Sequence, residues 1–184
     1  MDRSLPVGYS AWMTSEPSQT PSTAGPPESD PGKNLGVYLN DHLAGSTGGL
    51  QLASDMAERH KDDELGPFLQ QLVQDIGEDR EALLSAMVTL GVEKNPIKQG
   101  VAWAGEKLGR LKLGDSPTSA EAANDLLEFE TMSLGVEGKR CGWVALQRAG
   151  ISGGLDLPRL IERAETQRDG LEQHRLQLAA RALA

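Results

Sequence analysis

The sequence predicts an all-α protein: an up-down bundle of four long helices, with a short connector helix between the second and the third. Three observations predict it. From Asn34 onward the apolar residues recur at the three-to-four-residue spacing of a helix, and no stretch shows the alternation of a strand. Glycine, proline and aspartate or asparagine divide this run at intervals suited to helix starts and stops. Aromatic residues make up only 4% of the chain, so the core must come from Leu, Val, Ala and Met.

The first 33 residues stand apart. They hold six of the ten prolines (Pro6, Pro17, Pro21, Pro26, Pro27 and Pro31), with Ser and Thr filling much of the rest. Such a composition buries too little surface to offset its ordering entropy, so residues 1–33 are expected to be a disordered tail and 34–184 the folded domain. Val7, Tyr9 and Trp12 admit a short docking motif, although stray aromatics in a tail are more often incidental.

The first helix is expected from about Leu35 to Lys61, with Leu39, Leu43, Leu50, Ala53 and Ala57 on one face. Its middle, Ala44 to Gly49, is A-G-S-T-G-G, poor helix formers that either kink it or permit close packing. The second runs from about Asp63 to Leu90. Pro67 is tolerable there because it falls in the first turn, and Gly91 is the stop. Leu65, Leu69, Leu72, Ile76, Leu83 and Met87 are in phase. The connector follows Asn95 as N-cap and Pro96 as first residue, with Ile97, Val101, Ala104, Leu108 and Leu111 as its stripe. Ser119 to Ala149 is the third long helix, ended by Gly150, and Asp156 caps the fourth, which carries Pro158 near its start.

Charge and cysteine content exclude several functions. Lys+Arg 18 against Asp+Glu 27 leaves a net charge of −9, which argues against nucleic acid and against peripheral contact with anionic membranes. A single cysteine, Cys141, excludes an internal disulfide and a thiolate zinc cluster, and fits a reducing compartment. No apolar run approaches the roughly 20 residues of a membrane span. The opening residues lack the apolar segment of a signal peptide, so the expected location is the cytoplasm.

Wheel positions at about 100° per residue put charges on the apolar faces. On the second helix Arg80 falls near the stripe's centre and Asp79 at its edge. On the third, the stripe Ala123, Leu126, Leu127, Leu134, Cys141, Val144 is interrupted by Glu130 and Glu137. On the last, Leu157, Leu160, Ile161, Ala164, Leu171, Leu178 is interrupted by Arg168 and Arg175. His42 lies beside the first stripe. Core-facing charges are costly unless paired, and Arg binds carboxylates through two parallel hydrogen bonds. The expected arrangement is therefore an internal network joining Glu130 and Glu137 to some of Arg80, Arg168 and Arg175, completed by Asp41, His42 and Asp79. The alternative is that the stripes are misphased by a residue and several of these charges reach solvent at the seams.

Four long helices, a connector after the second, and interior carboxylates resemble the ferritin-like bundles. That resemblance implies two metal ions held by a Glu from each of two helices and Glu-x-x-His from the others. The three residues preceding His42, His60 and His174 by that spacing are Leu39, Ala57 and Leu171, so the motif is missing. The runs Tyr38–Gly45, Glu78–Arg80, Trp103–Leu113 and Leu127–Lys139 resemble a family of small bacterial helical proteins of undefined role, which implies a fold and no reaction.

The connector is basic: Lys94, Lys98, Lys107, Arg110 and Lys112 stand against Glu93 and Glu106. With Trp103 on another side it suits a docking helix, with Lys98, Trp103, Lys107, Arg110 and Lys112 meeting an acidic partner, or one that simply covers its own bundle. The Gly150–Gly154 run lacks both a preceding strand and a Lys-Ser/Thr pair, so it reads as a loop rather than a phosphate cradle.

Two functions remain. One is a non-catalytic bundle with no cofactor, working through its surfaces as a protein–protein interaction or self-assembly module. The other is an atypical metal or redox protein holding iron or manganese through His42, Asp79, Glu130 and Glu137. No catalytic residue is assigned.

Overall fold

The computed structural model describes residues 30–95 and 119–184. These form four helices: α1 Pro31–Arg59, α2 Gly66–Thr89, α3 Ser119–Arg148 and α4 Leu157–Ala182. There is no strand among the described residues. The connector, and with it Lys98, Trp103, Lys107, Arg110 and Lys112, lies outside them, as does nearly all of the tail.

Helix α1 begins earlier than the sequence suggests. Asp30 accepts hydrogen bonds from the backbone N–H of Gly32 (3.0 Å) and Lys33 (3.4 Å), and Pro31 sits where its missing N–H has no partner to lose. Residues 31–33 thus form the first turn of α1. The A-G-S-T-G-G segment stays helical, and Ser46 and Thr47 both return a hydroxyl hydrogen bond to the Leu43 carbonyl. Tertiary packing on both sides outweighs its poor propensity.

Helices α2 and α3 end alike. The Gly91 N–H bonds the Val88 carbonyl and the Val92 N–H the Met87 carbonyl; Gly150 and Ile151 repeat the pattern on Gln147 and Leu146. Both glycines have φ of 68°, the left-handed conformation this cap requires. Val92 and Ile151 then pack on the apolar core. Asp156 caps α4 by accepting from the Arg159 N–H at 3.2 Å.

Helices α1 and α2 form one hairpin, α3 and α4 another, and the hairpins meet α1 on α3 and α2 on α4. Side-chain pairs give the directions. Arg59 and His60 at the end of α1 meet Glu128 and Asp125 near the start of α3, while His42 meets Gly142. Glu64 at the start of α2 pairs with Arg181 at the end of α4, and Asp79 with Arg163. Every neighbouring pair is therefore antiparallel, and α2 and α3 lie diagonally and run the same way.

The core has two parts along the axis. One is built on Leu52, Met56, Leu69, Leu72, Phe129, Met132, Val136 and Leu171. The other is built on Leu39, Leu43, Leu83, Met87, Trp143, Leu146, Leu157 and Leu160. Between them, in chain order, fall Asp79 on α2, Lys139 on α3 and Arg163 and Gln167 on α4, with the small residues Ala44–Gly49 at the matching stretch of α1.

Candidate functional site

Asp79 occupies the middle of the bundle, 2% exposed. It lies on the stripe Ile76, Asp79, Leu83, where Arg80, the next residue along, was expected at the centre. Its carboxylate has two cationic partners. Lys139 Nζ reaches Oδ2 across the diagonal at 2.5 Å, and Arg163 Nη2 bonds Oδ1. Gln167 completes the layer: its Oε1 accepts from Lys139 Nζ at 2.5 Å and its Nε2 donates to Asp75 at 3.4 Å. Arg163 also holds Glu78 at 2.7 Å on the outer side.

The charge states follow from burial. Loss of water pulls the Lys139 ammonium below its ordinary pKa, with Asp79 and Asp75 opposing that pull and Arg163 adding to it. For Arg163, burial likewise disfavours the charge, but Asp79 and Glu78 outweigh it and the guanidinium stands above its ordinary value. One buried carboxylate thus faces two cations, and Asp75 and Glu78 supply the remaining negative charge at the periphery.

The other charges expected in the core are at the seams. Arg80 pairs with Glu81 at 3.1 Å at the surface. Glu130, 45% exposed along its side chain, meets Arg175 at 3.5 Å. Glu137, 35% exposed, meets Arg168 at 3.1 Å and takes two hydrogen bonds from Arg140 at 2.9 and 3.0 Å. Arg175 is held chiefly by Glu172, at 2.7 and 2.8 Å. The pairs Glu130–Arg175 and Glu137–Arg168 do form, but along the α3–α4 seam and not within the core. Arg140 holds the Glu137 carboxyl down at about 2, with Cys141 and Arg168 adding to the effect.

The cause is the phase of α3. This helix carries apolar residues all round, and the buried set is Leu126, Phe129, Met132, Val136, Trp143 and Leu146. The stripe through Leu127, Leu134 and Cys141 faces solvent instead. The two aromatic residues decide, because they bury more area than any Leu they displace. With the phase corrected, Lys139 stands three residues after Val136 and four before Trp143, on the core side. Gln167 is placed the same way between Ala164 and Leu171. That spacing was the available signal for both residues.

Asp41 is exposed beside His42. The His42 ring is half-buried, 4.6 Å from the Tyr38 ring and set against Gly142, where an added Cβ would meet Cε1 at 2.9 Å. Burial pulls its pKa down and Asp41 only partly opposes this. His42, Asp79, Glu130 and Glu137 do not converge. Among the described residues no three His, Cys, Asp or Glu side chains form a group suited to a metal ion, and no helix is long and apolar enough to cross a membrane.

A second charged cluster joins the hairpins at the opposite end. His60 Nδ1 lies 2.7 Å from Asp63 and Nε2 3.3 Å from Asp125, while Arg59 binds Glu128. Burial raises the Glu128 carboxyl above its ordinary range, with Arg59 opposing. Asp63 also accepts from the Leu65 N–H at 2.8 Å, which closes the α1–α2 turn. Comparison with protein-family models, with curated proteins and with solved structures finds no match to this chain.

Proposed function

We propose that this protein is a non-catalytic helical bundle of the cytoplasm that acts through its surfaces, as a protein–protein interaction or assembly module. Its arrangement, two antiparallel hairpins with the second and third helices parallel, is ferritin-like, and its relatives are the small bacterial helical proteins whose runs its sequence resembles. The observation that carries this reading is the occupancy of Asp79. Lys139 and Arg163 already take both oxygens of the buried carboxylate. A divalent ion there would have to displace an ammonium and sit beside a guanidinium, against Coulomb repulsion in a water-poor interior. The layer therefore acts as a structural device that fixes which faces of α2, α3 and α4 meet.

The test is elemental analysis of untagged protein purified without chelator after iron and manganese supplementation under reducing conditions. The expected result is metal far below stoichiometry, with helicity and melting temperature unchanged by chelator. Near-stoichiometric metal that is lost on Asp79→Ala or Glu137→Ala would overturn the reading and establish an atypical metal-binding bundle.

A further inference from the structure

The chain leaves α2 and enters α3 at opposite ends of the bundle. After α2, Asn40 of α1 takes hold of the backbone: its Nδ2 donates to the Glu93 carbonyl at 2.9 Å, and its Oδ1 accepts from the Asn95 N–H at 2.7 Å. Asn40 is 6% exposed and also donates to the Gly36 carbonyl at 2.8 Å, so its amide is fixed from its own helix as well. At the other end His60 meets Asp125, and α3 begins beyond it, at Ser119. From the level of Asn40 to that of Ser119 is about 40 Å along the axis, at 1.5 Å per residue. Residues 96–118 have to cross it. A helix over the stripe from Ile97 to Leu111, with extended chain around it, reaches about 50 Å, so the connector suffices with little slack.

We propose that the connector docks along the outward face of α1, parallel to that helix. Three observations select this occupant and this face. Asn40 sets the direction: it ties the start of the connector to α1, and the start of α3 adjoins the far end of the same helix. The face itself permits close approach. Val37, Asp41, Ala44, Gly48, Asp55 and Glu58 follow one another along it, opposite the buried Leu39, Leu43, Ala53 and Met56. With Ala44 and Gly48 at its middle, a second helix can lie at about 8 Å, the short end of interhelical distances. Gly45, Gly48 and Gly49 weaken α1 as an isolated helix, and a neighbour on this side offsets that weakness. Charge completes the match: Asp41, Asp55 and Glu58 make the face acidic, while the connector sets Lys94, Lys98, Lys107, Arg110 and Lys112 against Glu93 and Glu106 in a chain of −9.

The bond between Asn40 and Asn95 also fixes the register. Two parallel helices running from it bring Lys98 to the level of Asp41, Ala104 to that of Gly48 and Arg110 to that of Asp55, each within about one turn. The stripe Ile97, Val101, Ala104, Leu108 and Leu111 is then the side turned to α1. The acidic partner that suits the connector is the chain's own first helix, an inference that does not rest on the interaction-module reading.

The experiment is disulfide trapping in the full chain, with Cys141→Ser removing the natural thiol. Gly48→Cys combined with Ala104→Cys is expected to close a disulfide within one molecule on mild oxidation, read by mass spectrometry, because the bond needs Cα atoms within about 7 Å. Leu134→Cys combined with Ala104→Cys tests a path over α3 and is expected to stay reduced. Hydrogen exchange gives a second readout without new thiols. Asn40→Ala should speed exchange at residues 97–111 by at least about tenfold while α3 and α4 keep their protection. Ala104→Cys pairing with Leu134→Cys, pairing only between molecules, or pairing with neither position overturns the proposal. Exchange at residues 97–111 that is already fast in the natural chain, or that Asn40→Ala leaves unchanged, overturns it too.

Discussion

Asp79 is the residue on which the interior depends, and the asymmetry of its partners makes a sharp prediction. Asp79→Ala leaves an ammonium and a guanidinium facing each other without a counter-charge, and should lower the unfolding free energy by about 3–5 kcal/mol. Lys139→Met removes one cation but leaves Arg163 on the carboxylate, and should lower it by about 1–3 kcal/mol. Urea denaturation of the two variants checks the order; equal losses would mean that Arg163 alone does not hold Asp79. Lys139 also has a pH signature. Its pKa is lowered in the folded state, chiefly by burial, so the unfolded chain holds this proton more tightly and stability should rise with pH between the lowered value and the ordinary lysine value. The Lys139→Met chain should therefore lack the gain in stability that the natural chain shows on approaching pH 10 (roughly the unfolded lysine value).

Among the elements, the α2–α4 contact is the one most constrained by a single small residue. A Cβ on Gly170 would lie 2.6 Å from Phe68 Cε2, and the Phe68 ring in turn lies 4.6 Å from the His174 ring, tilted 47° to it. Gly170→Ala must move that ring, and the overpacking should cost about 1–3 kcal/mol even though alanine is the better helix former. A stabilised Gly170→Ala chain in thermal unfolding would show that the two helices separate freely. Helix α4 also depends on its start. Asp156 accepts from the Arg159 N–H, and Asp156→Ala should cost about 1 kcal/mol in the same measurement. Asp156→Asn should recover most of that loss, since the amide oxygen can accept the same bond.

At the scale of the whole molecule, acid should loosen the bundle through its seams before its core. Hydrogen bonds from Arg140 hold Glu137 at about 2, and Gln74 with Arg163 lowers Glu78, as Arg175 lowers Glu172. A carboxylate lowered in the folded state adds stability that is complete above its unfolded value and is lost as pH falls toward the folded value. For Glu137 that window runs from about 4.5 down to about 2. These groups are largely solvated, so each contributes little alone and the effect is one of the network. Glu137→Gln should flatten the fall in stability below pH 4.5 (about the unfolded value) while changing stability at neutral pH only slightly. Melting temperatures from pH 7 down to about 3 check this; an unchanged acid slope would place the loss elsewhere.

Sequence alone determined the helical class, the ends of α2, α3 and α4 to within a few residues, and the buried stripes of α2 and most of α4. Periodicity, proline and glycine are local signals, and in these segments one apolar face exceeds the others clearly enough to fix its direction. It also set Glu130 and Glu137 against some of Arg80, Arg168 and Arg175 by their opposite charges, without choosing among the arginines; the structure selects Arg175 and Arg168, at the α3–α4 seam. What it did not determine was the phase of α3, where Leu127, Leu134 and Cys141 compete with Phe129, Val136 and Trp143 for the interior. Only packing against α1 and α4 resolves that competition, since the winning face depends on the summed burial of the partners and not on the helix itself. That choice turned Glu130 and Glu137 outward and carried Lys139 inward, while on α2 it is Asp79, and not Arg80, that the neighbouring helices bury. The charged layer was thus written in the sequence residue by residue, but its membership was decided by tertiary structure.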